Sequence, residues 1–148
     1  MTRSISVALA LAAALAAGCT SVNRQSTGPS SASQMLAGTW TSFQTGSLQD
    51  SCTNFTWTVT EFNGNTGAGT FSATCFGFMQ VNGMARGVLT GTVVNWTLTA
   101  TASGPGVPAA CTINLTGSAV LEGDVIRIPY SGSSCVGPLS GTEYLRRR

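Results

Sequence analysis

The sequence contains no lysine and no histidine, and only 8% of its 148 residues are charged. The usual general base for a serine or threonine nucleophile is therefore missing, and the chain has no basic face that would bind nucleic acid. The formal net charge is only +2, and three of the seven basic residues are the last three of the chain. Few charges, together with many Gly, Thr and Ser residues, indicate a β-rich chain rather than a helical one.

Long apolar runs are also scarce, and the one that exists lies at the N-terminus. It extends from Ile5 to Ala17, about 13 residues, which is too short to cross a bilayer of roughly 30 Å as a helix. Arg3 precedes this run, as in a signal peptide. The run ends in Leu15-Ala16-Ala17-Gly18-Cys19, and this ending resembles the lipobox of bacterial lipoproteins. The resemblance implies cleavage after Gly18 and lipid attached to Cys19, whereas the alternative is an ordinary secretory signal with an incidental cysteine.

This reading divides the chain into three parts. Residues 1–18 are the predicted signal peptide, and residues 19–35 are the lipidated cysteine followed by a polar, proline-containing tether. Residues 36–148 are predicted to form a single domain. The predicted partner is the membrane, through the lipid on Cys19. Because Thr20 is not the aspartate that some Gram-negative bacteria read as an inner-membrane retention signal, the outer membrane is the expected address in such a source.

Short segments of alternating apolar and polar residues recur along this domain, separated by Gly, Asn or Pro. In one of them Phe55, Trp57 and Val59 share a face, and threonines occupy the other. We count about eight such strands with short connections and no helix between them. The predicted fold is therefore all-β and antiparallel, either an up-and-down barrel or a flattened sandwich. Asn82-Gly83 predicts a type I′ hairpin turn between two of the strands.

Four cysteines remain beyond Cys19, namely Cys52, Cys75, Cys111 and Cys135. An even number in an exported domain predicts two disulfides, whereas the absence of histidine and of C-x-x-C spacing argues against a metal site. Four cysteines allow three connectivities. The two sequential pairs have similar spacings, each begins with Cys-Thr and ends with Cys-x-Gly, and each is centred on a predicted turn, so we favour this pairing. Pairing Trp57 with Phe71 leaves the first cysteine pair one residue out of register, which either a β-bulge or a splayed strand end would resolve.

Two features near the ends of the domain resemble the calycins, the lipocalin-like and avidin-like barrels. Gly38-Thr39-Trp40 is similar to the G-x-W with which such barrels open, and Arg146 stands where lipocalins carry an arginine that packs over that tryptophan. The resemblance implies that Trp40 and Arg146 close one end of the barrel through a cation–π contact. The alternative is that Trp40 is simply a core residue.

No catalytic, cofactor-binding or metal-binding motif emerges from the sequence. Asp50 and Glu61 could in principle act as a glycosidase-type carboxyl pair, but their spacing in the sequence does not indicate that the two side chains come together. The sequence therefore predicts a non-enzymatic envelope component with a structural or protein-interacting role. The alternative is a binding module for a small apolar ligand. A large interior cavity lined by Trp and Phe would favour the ligand, and a filled interior would favour the interaction protein.

Overall fold

A computed structural model of the protein describes residues 35–44 and 50–148. Within them the chain forms eight strands: β1 (Gly38–Ser42), β2 (Cys52–Asn63), β3 (Thr66–Cys75), β4 (Met79–Thr90), β5 (Val93–Ser103), β6 (Cys111–Glu122), β7 (Val125–Ser134) and β8 (Gly137–Arg147). The predicted signal peptide, Cys19 and most of the tether lie outside the described residues.

The strands follow the two-residue period of the sequence. In β5, Val94, Leu98 and Ala100 are buried, and Thr97 and Thr99 between them are exposed. A pleated strand sends successive side chains to opposite faces, so this alternation makes one apolar face and one hydroxyl-rich face. The apolar faces of the strands together form one core, and the threonines lie on the outside.

Each strand pairs with the next in antiparallel order, and β1 pairs with β8, which closes the barrel. This confirms the all-β, eight-stranded, up-and-down prediction and decides between its two forms in favour of a barrel over a sandwich. Because the barrel is closed, the sheet has no edge strand. An exposed edge in a chain rich in apolar and threonine-bearing strands would be able to pair with other chains.

The two ends of the barrel differ in what they contain. We call the end at which the chain enters β1 the lower end; it also contains the β2–β3, β4–β5 and β6–β7 turns and the C-terminus. Leu36 and Trp40 are both completely buried there, and the indole Nε1 of Trp40 donates a 2.9 Å hydrogen bond to the carbonyl oxygen of Leu36. The opposite, upper end contains both disulfides and the connections that follow β1, β3, β5 and β7.

The favoured cysteine pairing is confirmed, and the register mismatch is resolved by a bulge rather than by a splayed strand end. Cys52 bonds to Cys75, and Cys111 bonds to Cys135. Trp57 lies opposite Phe71 in the β2–β3 ladder, and the register shifts by one residue between Thr53 and Thr56, before the ladder reaches the disulfide. The extra residue falls at Asn54-Phe55, where Asn54 has a positive φ of 55°. Asparagine tolerates this left-handed conformation better than most residues.

The prediction of a turn at Asn82-Gly83 is wrong. Both residues lie within the continuous strand β4, and the β3–β4 turn lies earlier, at Phe76-Gly77, where φ is 53° and 75°. Gly83 serves close packing: a Cβ there would lie 2.5 Å from the Cα of Ala100 on β5 and would meet the carbonyl oxygen of Thr99. Glycine is needed at this point because two backbones approach each other.

One ladder is much shorter than its strands. β6 and β7 have 12 and 10 residues, but only three pairs are formed, from Glu122–Val125 to Val120–Arg127. Above these pairs, the side chain of Leu115 on β6 lies over the α-carbon of Gly132 on β7, where a Cβ would collide with it. We call this region of β6 and β7 above the third pair the seam.

Candidate functional site

The barrel interior contains an apolar cavity of about 60 Å³. Its walls include Phe55, Trp57, Phe71 and Trp96, and Leu115 and Tyr130 border it from the two sides of the seam. Sites for drug-sized ligands are usually about 300–1,000 Å³. The sequence analysis distinguished a barrel with a large ligand cavity from a barrel with a filled interior. The observed interior is closer to the filled one.

The wall of this cavity contains an unpaired polar atom, the indole Nε1 of Trp96. Its indole Nε1 is buried and has no hydrogen-bond partner among the described residues, whereas Nε1 of Trp57 donates to the carbonyl oxygen of Ala85 at 3.3 Å. The Trp96 ring rests on Gly117 of β6, where a Cβ would lie 2.7 Å from it. An unpaired donor beside an apolar cavity can orient one acceptor atom of a small molecule or a water molecule.

At the lower end, the arginine that packs on Trp40 is Arg147, and the prediction of Arg146 is wrong. The Arg147 guanidinium lies 4.7 Å from the Trp40 ring centroid and donates a hydrogen bond to the carbonyl oxygen of Met35. Leu145 is fully buried, so the strand alternation sends Arg147 inward and Arg146 outward. Arg146 instead lies 4.2 Å from the Phe43 ring centroid and 3.8 Å from a carboxylate oxygen of Asp124.

At the upper end, two carboxyl groups and a phenol converge on β8. The Asp50 carboxylate accepts a hydrogen bond from the Thr142 amide at 3.2 Å. The Tyr130 hydroxyl bonds to both backbone groups of Cys52, accepting from the amide at 2.9 Å and donating to the carbonyl at 3.2 Å. Both side chains crowd Gly141, whose Cβ would lie 2.5 Å from the Tyr130 oxygen and 2.6 Å from Asp50 Oδ1.

Glu143 is the acidic residue of this group that the sequence analysis did not single out. Its side chain is only 1% exposed, and neither carboxyl oxygen has a hydrogen-bond partner of normal geometry among the described residues. Its position could have been found, because Glu143 shares the inward strand parity of Leu139 and Leu145 on β8. A carboxyl group in phase with buried leucines is a signal of an unusual environment.

The electrostatics of this group follow from burial and like charge. Burial raises the pKa of Glu143 above its ordinary value of 4.5, and the neighbouring Asp50 raises it further; the nearby Ser42 hydroxyl partly offsets both. Burial, with a smaller contribution from Asp50 and Glu143, raises the pKa of Tyr130 to about 12, although its bond to Cys52 opposes the shift. Each of these shifts favours the uncharged form.

The hydrolytic pair considered from the sequence is not formed. Asp50 precedes the upper end of β2 and Glu61 lies near its lower end, so about 30 Å separates them at ~3.3 Å per residue. Carboxyl pairs in glycosidases are about 5–9.5 Å apart. Within the part of the chain that the structure describes, there is also no group of three or more His, Cys, Asp or Glu side chains that could hold a metal ion.

The upper end also presents an aromatic pair. The rings of Phe76 and Phe78 stack with their centroids 6.3 Å apart, and the side chains are 40% and 43% exposed. Phe76 has a left-handed backbone, which is rare for a bulky residue and costs about 1–3 kcal/mol. Asn-Gly is the preferred sequence for such a turn, so Phe76 occupies it despite an unfavourable backbone.

Comparisons with known proteins give no relative: no protein family, no curated protein and no solved structure matches this chain. The closed eight-stranded antiparallel barrel is nevertheless consistent with a lipocalin-like architecture. Among residues 35–44 and 50–148, no helix has the length and apolar character needed to cross a bilayer.

Proposed function

We propose that this protein is a lipid-anchored, non-enzymatic component of a bacterial cell envelope. Cys19 carries the lipid, and the polar segment after it separates the membrane from a disulfide-stapled barrel with a structural or protein-interacting role. In a Gram-negative source the outer membrane is the proposed address. Two or three acyl chains anchor a protein stably, at about 0.8 kcal/mol per buried methylene.

The observation that carries this proposal is the arrangement of the two ends of the barrel. The chain enters at the lower end, at Leu36, directly after the proposed tether. The exposed Phe76 and Phe78 lie at the opposite end. An anchor attached through the lower end leaves the upper end free to face a partner. Exposed aromatic residues are enriched in the binding surfaces of proteins, which supports an interacting role for that end.

The anchor is tested by replacing its cysteine. Wild-type protein should incorporate a fatty-acid analogue and fractionate with membranes, and Cys19→Ser should do neither. The barrel cysteines provide the control: a Cys52→Ser, Cys75→Ser double variant should keep the label. Membrane retention without any label on the wild type would contradict the lipid anchor.

The interacting role is tested by cross-linking from defined surface positions in intact cells. A photo-reactive amino acid at Phe76 should give a discrete higher-mass product, and the same group at the exposed Thr99 on the barrel wall should not. Equal products from both positions would indicate non-specific contact and would argue against an upper-end partner.

A second candidate is the calycin-like one, a small apolar ligand inside the barrel. It is favoured by the unbonded Trp96 indole beside the apolar cavity. The small volume argues against it as the principal role. A ligand series should raise the melting temperature of wild type but not of Trp96→Phe if this function holds, and no response from any small apolar compound would remove it.

A further inference from the structure

The two disulfides at the upper end differ in how far solvent reaches them. Cys52 and Cys75 are 4% and 2% exposed, so the first bridge is buried at both of its residues. In the second bridge Cys111 is similarly buried, at 3%, but Cys135 is exposed. A disulfide is opened by attack on one of its sulfurs, so access to a single cysteine is enough for a reagent from outside. Of the two bridges, Cys111–Cys135 is the one that presents an exposed cysteine to such an attack.

The turn that contains Cys135 explains its exposure. Ser134 pairs with Gly137 at the end of the β7–β8 ladder, so Cys135 and Val136 are the two residues of a tight hairpin turn. The Ser134 hydroxyl fixes this turn, because it donates to the carbonyl oxygen of Gly137 at 2.9 Å and accepts from the amide of Val136 at 3.3 Å. The cysteine therefore lies at a hairpin tip rather than inside a strand.

The first bridge, in contrast, is enclosed by bonded backbone. Cys52 and Cys75 are direct partners in the β2–β3 ladder, and a 2.7 Å hydrogen bond from the Phe76 amide to the Ser51 carbonyl continues the pairing past them. The Tyr130 hydroxyl also bonds to both backbone groups of Cys52. If this bridge were broken, these contacts would keep the two thiols opposite one another at high effective concentration, which favours closing the bridge again.

No ladder holds the second pair of cysteines together. Pairing between β6 and β7 ends at Val120–Arg127, and from there to the disulfide each strand is paired only with its other neighbour, β5 or β8. Thiols released at Cys111 and Cys135 could therefore separate, which lowers their effective concentration for closing the bridge again. Reduction is easier to complete here than at Cys52–Cys75.

We propose that Cys111–Cys135 is a site of thiol–disulfide exchange with an external dithiol, whereas Cys52–Cys75 is a permanent structural bridge. A thiolate of the dithiol attacks Sγ of Cys135, the S–S bond breaks, and the Cys111 sulfur leaves as a thiolate and takes up a proton. The second thiol of the reagent then attacks the reagent sulfur of the mixed disulfide and releases Cys135 as a thiol. The reagent is oxidised to a disulfide, and the protein gains two electrons and two protons.

Reduction at this site should loosen the seam without unfolding the barrel. The bridge joins β6 to β7 above their three ladder pairs, where the other contact described above is that of Leu115 with Gly132. The ladders between the other strands and the Cys52–Cys75 bridge remain in place. Because Leu115 and Tyr130 border the apolar cavity, exchange would couple the redox state of the surroundings to access to the barrel interior. This inference depends on neither the lipid anchor nor a protein partner.

Reduction followed by alkylation tests the assignment on the full mature chain, purified in detergent. Dithiothreitol is added to the folded protein, free thiols are alkylated at intervals, and peptide mass mapping gives the rate at each cysteine. Cys111 and Cys135 should react at least about tenfold faster than Cys52 and Cys75, at a rate proportional to the dithiol concentration. Equal rates at the two bridges, faster reduction of Cys52–Cys75, or one common rate that does not depend on dithiol would each overturn the proposal.

Glutathione, a monothiol, identifies the sulfur that is attacked. Its mixed disulfide should map to Cys135, and an adduct on Cys111 alone would overturn the proposed direction of attack. Val136→Arg and Phe76→Arg are matched variants, because each places a cation directly after the second cysteine of one bridge. Glutathione is an anion, so Val136→Arg should accelerate the exchange by about threefold or more at low salt, while Phe76→Arg should leave the first bridge unreactive. Equal acceleration at both bridges would overturn the difference in access.

Amide exchange measures the structural consequence. After selective reduction, exchange should accelerate along the upper halves of β6 and β7 and stay slow in β2 and β3, and reoxidation should reverse the change. A Cys111→Ala, Cys135→Ala double variant is the control, since it should exchange rapidly in this region from the start and should not respond to dithiol. Unchanged exchange in the reduced wild type would overturn the opening of the seam, and loss of protection in every strand would overturn its restriction to β6 and β7.

Discussion

The two disulfide-linked hairpins share a sequence pattern but are held together differently. Their cysteines are separated by 23 and 24 residues. The β2–β3 hairpin is paired from its turn to its disulfide, over nine register positions and two irregularities. The β6–β7 hairpin forms three pairs next to its turn and none above them. In the first hairpin the disulfide adds to a complete ladder, and in the second it joins strands that the ladder has left.

Pro129 gives a physical reason for the difference. Arg127 is the last residue of β7 that pairs with β6, and Pro129 follows two positions later, although β7 stays paired with β8. Proline has no N–H group, so it interrupts a ladder and is normally confined to strand edges. Gly132 then leaves room for Leu115 to cover the strand where backbone pairing has ended. Similar cysteine spacing therefore does not imply that the strands between the cysteines form similar backbone ladders.

Removing one disulfide at a time should give the largest effects. A bridge across about 23 residues contributes roughly 3 kcal/mol by the chain-entropy estimate, so each double Cys→Ala variant should lower the melting temperature by many degrees. The location of the damage should differ. Loss of Cys111–Cys135 should accelerate amide exchange along the upper half of β6, whereas loss of Cys52–Cys75 should leave β2 largely protected. Equal local exchange in both variants would contradict the difference between the hairpins.

The next largest effect is expected at the seam. Leu115 is 9% exposed and lies over Gly132, so Leu115→Ala should cost about 2–3 kcal/mol and enlarge the cavity. Val59→Ala in the fully paired hairpin is the matched control. It should cost stability without opening the barrel. Quenching of Trp96 fluorescence by acrylamide should therefore rise in Leu115→Ala only, and a similar rise in both variants would show that the seam is not the point of access.

A second short ladder sharpens the comparison, because β1 also meets β8 over only three positions. There the closing contact is Arg147 on Trp40 rather than a disulfide. Arg147→Ala should lower the free energy of unfolding by about 0.5–2 kcal/mol. Arg146→Ala, which removes only an exposed ion pair and the Phe43 contact, should cost less. Chemical denaturation of both variants measures the difference, and the reverse order would restore Arg146 as the closing residue.

The smallest predicted effect is a dependence of stability on pH rather than a constant offset, and it concerns Glu143 on β8. Because the pKa of Glu143 is raised on folding, the folded protein retains a proton that the unfolded chain loses. Stability from this group is present below pH 4.5 and is lost as pH rises through the folded pKa. Glu143→Gln should therefore be more stable than wild type at neutral pH, and the two should converge in acid. A pH-independent difference would contradict this.

The predictable part of the fold was the part controlled by local pattern. Alternation in segments such as Val94–Ala100 indicated strands, and the mismatch between Trp57–Phe71 and the cysteines indicated an irregularity in the β2–β3 pairing, which the structure shows as a bulge at Asn54. The turn prediction at Asn82-Gly83 was wrong because asparagine–glycine usually favours a turn, whereas Gly83 is required here by the close approach of the β5 backbone. Local propensity cannot reveal which neighbour a glycine will meet.

The candidate site was less predictable for a related reason. Arg146 and Arg147 are adjacent and chemically identical, and only the inward direction of Leu145 decides which of them reaches Trp40. Glu143 had an inward parity that the sequence could have shown, but its proximity to Asp50 depends on a contact between segments more than 90 residues apart. Such a contact leaves no local pattern.

The sequence by itself determined the all-β class, and it favoured about eight strands and the sequential cysteine pairing among three connectivities, because side-chain alternation and hairpin closure act between residues close in the chain. Only the tertiary structure decided that the sheet closes into a barrel with a nearly filled interior, that β6 and β7 separate above Arg127, and that two carboxyl groups meet at the upper end. These outcomes depend on how the first strand meets the last and on how side chains from all eight strands share one volume, and neither is encoded in any single segment.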